Sequence, residues 1–153
     1  MAKCKTAPSQ RSTPESLPYL SAPGEGVDGY YKEYFNDLAA TCENLPDSEI
    51  VSGLERLAQV IAPHMERFIE AGWSRKADQA LVHLRAGALE SAAFALVPAH
   101  IELTVAQRNN APRVIVRASG AGCTAAFSQN AGHIATGIVA AMLRAVAECL
   151  RGR

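Results

Sequence analysis

The stretch from His100 to Ser119, HIELTVAQRNNAPRVIVRAS, decides the fold class of this chain. Aliphatic residues occupy every second position over 101–105, and a second alternating run covers 113–118. The segment Arg-Asn-Asn-Ala-Pro at 108–112 separates the two runs and contains residues that favour turns. Two alternating runs around a turn predict a β-hairpin.

The register of this hairpin follows from its apolar pattern. Placing Ala106 opposite Arg113 gives one wholly apolar face and pairs Glu102 with Arg117 on the other face. Because two isolated strands are only marginally stable in water, the hairpin must pack on helices, pair with another chain, or do both.

The rest of the chain predicts helices, since its apolar residues recur at spacings of three and four. The expected helical segments cover about 28–42, 48–71, 74–97 and 133–150. Pro63 predicts a kink or break in the second segment, and Gly87 either lies within the third or divides it. Residues 123–130 are expected to form a short helix or loop.

These patterns predict a mostly helical α+β fold, with three to four helices, one antiparallel β-hairpin at about 101–118 and a long apolar C-terminal helix. Residues 1–27 are rich in proline, glycine and serine and are expected to form a flexible arm. Residues 28–153 are expected to form a single globular domain, which suits a chain of this length.

Composition restricts the possible partners and cofactors. Fifteen basic and fifteen acidic residues cancel, which argues against a protein devoted to binding polyanions. Cysteines at 4, 42, 123 and 149 form no CxxC pair, so we expect reduced thiols, a cytoplasmic location, no metal and no cofactor. No apolar run is long enough to span a membrane.

The last predicted helix is apolar around nearly its whole circumference, so other protein must cover it. We therefore expect this helix either to be central in the domain or to form half of a homodimer interface. The predicted interface residues are Ile134, Ile138, Val139, Met142, Leu143, Val146 and Leu150.

Two weak patterns bear on catalysis and ligand binding. Cys123 follows two glycines near a predicted helix start, where a thiol pKa is lowered, and His133 could act as its base. Gly120 and Gly122 could form an anion-binding nest before that helix. A buried, inert cysteine and a simple strand-to-helix connection explain the same residues.

The hairpin arginines, Arg108, Arg113 and Arg117, suggest nucleic acid binding. Three helical pieces, a hairpin and a terminal helix resemble, in order only, a winged-helix regulator. The segment that would correspond to the DNA-recognition helix, Ala88 to Val97, contains no Lys, Arg, Asn or Gln for contacting bases. A solvated hairpin tip is the alternative.

The sequence therefore favours a small, non-enzymatic, cytosolic interaction or regulatory protein that self-associates as a dimer. Its last helix would form the contact, together with the hairpin edge, and a different protein could also be the partner. Nucleic acid binding through the hairpin arginines and a thiol-dependent enzyme at Cys123 are the alternatives.

Overall fold

A computed structural model describes residues 25–107, 114–120, 125–128 and 131–151. The described residues form a mostly helical α+β fold, as the sequence predicts. The elements in chain order are α1 (Glu25–Glu43), a 3₁₀ turn (Asp47–Glu49), α2 (Ile50–Phe68), α3 (Trp73–Arg85), α4 (Leu89–Leu96), β1 (Ile101–Gln107), β2 (Val114–Gly120), β3 (Ala126–Ser128) and α5 (Ile134–Arg151).

Helix α5 lies at the centre of the domain. It packs along α1 on one side, against the sheet on another, and against α4. Alanines at 140, 141, 145 and 147 of this helix are fully buried. Such small side chains let neighbouring backbones approach closely, which explains how one helix can contact three elements at once.

The aromatic stripe of α1 belongs to the core. Tyr31 and Phe35 are buried, and the Tyr31 ring centroid lies 5.2 Å from that of His64 and 5.0 Å from that of Phe68, both on α2. Apolar and aromatic residues repeated at helical spacing form one face, and here that face packs into the core.

Two glycines lie at helix boundaries: Gly72 immediately precedes α3, and Gly87 follows its end. Gly72 and Gly87 have φ values of 88° and 79°, a left-handed conformation that glycine adopts without a steric penalty. Gly87 divides the third helical segment into α3 and α4, so the described residues contain five α-helices rather than three or four. Helix α2 continues through Pro63, so of the predicted kink or break, the break is wrong.

The side chain of Trp73 joins α3 to α4. It is fully buried, and its Nε1 donates a hydrogen bond of 2.8 Å to the carbonyl oxygen of Leu96. This bond satisfies the indole N–H inside the core and holds the end of α4 against the start of α3.

The hairpin of β1 and β2 is confirmed, but its predicted register is wrong by two residues. Val105 lies opposite Val116, Thr104 opposite Arg117, and Glu102 opposite Ser119. A shift of two residues leaves every side chain on its own face, so the apolar pattern alone cannot exclude it. The predicted Glu102–Arg117 cross-strand pair is consequently absent.

A third strand extends the sheet in the order β1-β2-β3. Strand β3 pairs antiparallel with β2, placing Phe127 opposite Arg117 and Ala126 opposite Ala118. It lies within the segment predicted as a helix or loop. Three residues are too few to establish a periodic pattern, so this strand depends on the neighbouring β2 and α5.

Candidate functional site

A groove between α1 and α2 is a candidate binding site. The two helices make few direct contacts with each other, and a cavity of about 140 Å³ lies between them. Its lining residues, which define the α1–α2 groove, are Leu38, Thr41, Cys42, Leu45, Gly53, Arg56, Leu57 and Val60. Each helix contributes positions i, i+3 and i+4, which lie on one helical face; the i+7 position is Val60 on α2 and, just beyond the end of α1, Leu45.

Small residues keep this groove open. Thr41, Cys42 and Gly53 are among its lining residues, and larger side chains at these positions would take up space between the helices. A Cβ atom added to Gly53 would lie 2.7 Å from Cδ1 of Leu45, so the leucine side chain rests directly on the backbone of α2.

The floor of the groove is a protonated thiol. Cys42 is 1% exposed and free, and its Sγ donates a hydrogen bond of 3.5 Å to the carbonyl oxygen of Thr136. Burial raises the pKa of Cys42 to about 12, the charge of Glu43 adds to this effect, and Arg144 opposes it. The thiolate required for nucleophilic chemistry is therefore negligible near neutral pH.

A buried ion pair fixes the end of α1 beside the groove. Arg144 of α5 donates to both carboxylate oxygens of Glu43, at 2.6 and 2.7 Å, and to the carbonyl oxygen of Phe127 at 3.0 Å. Ser128 donates a further hydrogen bond of 2.5 Å to Glu43. This cluster joins α1, β3 and α5, so it positions the adjacent Cys42.

The same contacts set the charge of Glu43. Burial by itself would raise the pKa of this carboxyl group, but the hydrogen bonds from Arg144 and Ser128 and the positive charge of Arg144 outweigh burial. The pKa therefore lies below its ordinary value of 4.5, and Glu43 is ionised near neutral pH. Its carboxylate is fully engaged by these partners, which indicates a structural role.

The outer edge of the sheet is a second candidate surface. Strand β1 pairs with β2 along all seven residues, and it has no strand on its other side among the described residues. Glu102, Thr104, Val105 and Ala106 are exposed. Helix α5 packs mainly on β2 and β3, so the apolar side chain of Val105 remains 36% exposed on the inner face.

The predicted interface residues of the last helix lie inside the single chain. Six of them are buried and Ile134 is half-buried. Contacts with α1, α4 and the sheet thus account for the apolar circumference of α5, and a second copy is no longer required to explain it. Dimerisation through α5 remains a prediction, but the apolar circumference of the helix no longer supports it.

The residues proposed for thiol chemistry are not brought together among the described residues. Cys123 lies outside them. His133 precedes α5, and its Nδ1 accepts a hydrogen bond of 3.0 Å from the backbone N–H of Ala135, so it caps the helix. Because Nδ1 accepts this bond, the neutral ring carries its proton on Nε2.

Gly120 is the last residue of β2 and pairs with Ile101, while Gly122 lies outside the described residues. An added Cβ atom at Gly120 would lie 3.4 Å from His100 Cδ2 and 3.6 Å from Cys149 Sγ. Gly120 thus allows close packing within the sheet, and the anion-binding nest stays a prediction.

Of the hairpin arginines, Arg108 and Arg113 lie outside the described residues. Arg117 is exposed on the outer face of the sheet, between Thr104 of β1 and Phe127 of β3. Phe127 is also exposed, so a cation and an aromatic ring are cross-strand neighbours on this face.

Cys149 is disulfide-bonded, which corrects the expectation that all four thiols are reduced. The other cysteine among the described residues, Cys42, is free. The spacing of the cysteines in the sequence contained no sign of this bond.

Within the described ranges, no helix combines the length and apolarity that a membrane crossing requires. The same residues contain no group of three or more His, Cys, Asp or Glu side chains that could hold a metal ion. Comparisons with protein-family models, with curated proteins and with solved structures found no match to this chain.

Proposed function

We propose that the protein is a small, non-enzymatic interaction protein that self-associates through the free edge of β1. The seven-residue β1 edge, which pairs with no further strand in the part of the chain that the structure describes, carries this proposal. Such an edge presents unpaired N–H and C=O groups and is a template for another strand. The sequence IELTVAQ contains no proline or lysine, residues that commonly protect edges from pairing.

A second copy fits this edge through a two-fold axis. Antiparallel pairing of two β1 strands centred on Thr104 would produce one continuous six-stranded sheet. Val105 of one copy would lie opposite Leu103 of the second copy and extend the apolar inner face. Glu102 would lie opposite Ala106, so the two carboxylates would not face each other.

The expected dimer is weak. Pairing seven residues would form roughly six to eight backbone hydrogen bonds, each contributing about 1 kcal/mol net. Covering Val105 would add about 1 kcal/mol, whereas association costs roughly 4–15 kcal/mol in lost freedom. Even the most favourable balance, about 9 kcal/mol gained against about 4 kcal/mol lost, gives a dissociation constant of only roughly 0.2 mM.

Sedimentation velocity from micromolar to millimolar concentration tests this proposal. We expect concentration-dependent dimerisation that Val105→Lys abolishes, because a charge at the edge opposes strand pairing. Val82→Lys is the matched control, since Val82 is 64% exposed on α3, away from the sheet. A monomer at every concentration would refute the proposal, as would a Val105→Lys variant that dimerises like the native chain.

Nucleic acid binding is the second candidate, supported by the Arg117–Phe127 pair on the outer face of the sheet. Open sheets that bind single strands use aromatic rings for base stacking and cations for phosphates. Mobility shifts with single-stranded oligonucleotides over a salt series would detect it. If binding is unchanged in Arg117→Ala/Phe127→Ala, the outer face of the sheet is excluded as the binding site. If it is unchanged in Arg108→Ala/Arg113→Ala, the hairpin tip is excluded.

The disulfide bears on where the protein acts. Disulfides persist in oxidising compartments and are rare in the cytosol, so the bond at Cys149 favours an oxidising compartment over the cytosolic location expected from the sequence. Acid-quenched alkylation of the protein in cells, followed by mass measurement, decides between them. Four alkylated cysteines would indicate a reducing location, and two would indicate that the bond is present.

A further inference from the structure

We propose that the α1–α2 groove binds a small amphipathic carboxylate, with a ring or chain of about six to eight carbons between the helices. The carboxylate would bind the guanidinium of Arg56 at the rim. This site is separate from the β1 edge and does not depend on self-association.

The volume and lining of the groove set the apolar part of this ligand. A cavity of about 140 Å³ lies between the helices, and apolar protein cavities of about 150 Å³ hold a benzene ring. Leu38, Leu57 and Val60 supply aliphatic walls. Val60 is 43% exposed, so the groove opens to solvent at its side and a ligand can enter without a change in the fold.

The rim of the groove sets the charge of this ligand. Arg56 is an exposed lining residue, and it forms no ion pair with the described part of the chain. A guanidinium binds a carboxylate through two parallel hydrogen bonds. An apolar tail ending in a carboxylate therefore satisfies both parts of the groove, whereas a cation would be repelled at the rim.

The floor of the groove makes binding reversible. The Cys42 thiol is held against the carbonyl oxygen of Thr136 and stays protonated near neutral pH. It therefore offers the ligand a small, polarisable surface rather than a nucleophile. Because Glu43 beside it is already paired with Arg144, the charge facing the ligand is that of Arg56.

Gly53→Ala tests the site sterically. The new methyl group would force Leu45 to move and would change the lining of the groove, because its Cβ would lie 2.7 Å from Cδ1 of that leucine. Gly29→Ala is the matched control, since Gly29 is also helical and no atom lies within 4 Å of an added Cβ. Val60→Phe is a second variant that fills the groove, because its larger ring enters from the solvent-exposed side; Gly53→Ala and Val60→Phe are called the filling variants.

The experiment is an NMR titration of the full chain with benzoate, and with benzyl alcohol as its uncharged counterpart. We expect saturable shifts at Leu38, Gly53 and Val60, weakened about tenfold or more by Gly53→Ala and by Val60→Phe but not by Gly29→Ala. Arg56→Gln should weaken benzoate about threefold, as for an exposed ion pair, and leave benzyl alcohol unchanged.

Two results would overturn this proposal. Shifts that do not saturate, or that persist unchanged in both filling variants, would show that the groove is not the site. Equal affinity for benzoate and benzyl alcohol would show that the ligand class is neutral rather than carboxylate. Neither result bears on dimerisation, which Val105→Lys tests separately.

Discussion

Removing the positive charge beside Glu43 should be one of the most destabilising single changes in this protein. The side chain of Glu43 is 4% exposed, and Arg144 supplies two of its three hydrogen bonds. Arg144→Met keeps the apolar stem but leaves a buried carboxylate with only Ser128. Breaking a buried pair costs roughly 3–5 kcal/mol, and partial exposure of this pair places our expectation near 3 kcal/mol.

Removing the negative charge of Glu43 instead should lower the free energy of unfolding by less. Glu43→Gln keeps an acceptor for Ser128, and Arg144, whose side chain is 26% exposed, can regain water. We expect a loss of about 1–2 kcal/mol. The double variant Glu43→Gln/Arg144→Met should lose about 2 kcal/mol less stability than the sum of the losses of the two single variants. The reason is that the double variant contains neither charge, so no buried charge is left without its partner.

Urea unfolding followed by the fluorescence of Trp73, the single tryptophan, measures these differences. Lys32→Met is the control, because Lys32 and Glu148 form a longer, more exposed ion pair at 4.0 Å. We expect less than about 1 kcal/mol from this change. Equal losses for Arg144→Met and Lys32→Met would refute the reasoning that burial gives the Glu43–Arg144 pair its strength.

The same pair predicts a dependence on pH. The folded chain holds the pKa of Glu43 below 4.5, so the unfolded chain binds a proton there first as the pH falls. The stabilisation is therefore complete well above pH 4.5 and is lost as the pH falls through the folded pKa. The stability difference between the native chain and Glu43→Gln should shrink over that acidic range and stay constant near neutral pH.

Three further outcomes follow from the packing. Trp73→Phe removes the hydrogen bond to Leu96 inside the core and should lower stability by about 2 kcal/mol, measured by circular dichroism; no change would contradict that role. Reducing the bond at Cys149 should lower stability by about 2–4 kcal/mol in calorimetry, and an unchanged melting temperature would argue against a stabilising link. Cys42 should resist iodoacetamide near neutral pH until the chain unfolds, and rapid labelling of the folded protein would show that it is accessible.

Local patterns in the sequence were enough to predict the secondary structure of most of this chain. Helical spacing of apolar residues placed the helices, Gly87 marked a possible division of the third one, and alternation over 101–105 marked a strand. These features depend on residues a few positions apart, which the backbone geometry of helices and strands brings onto one face. The composition of the last helix also predicted that it is buried, but it did not predict which elements cover it.

The tertiary structure decided which elements meet. The register of β1 and β2 differs by two residues from the predicted one, because both registers present the same apolar face. Strand β3 forms through its pairing with β2, since three residues are too few for a pattern of their own.

Glu43 and Arg144 are separated by 101 positions, and the two walls of the α1–α2 groove belong to different helices. The sequence by itself determined local conformation and the need to bury α5. Only the packing of the whole chain determined that α1, α4 and the sheet bury it, because contacts between distant segments depend on three-dimensional fit and not on spacing along the chain.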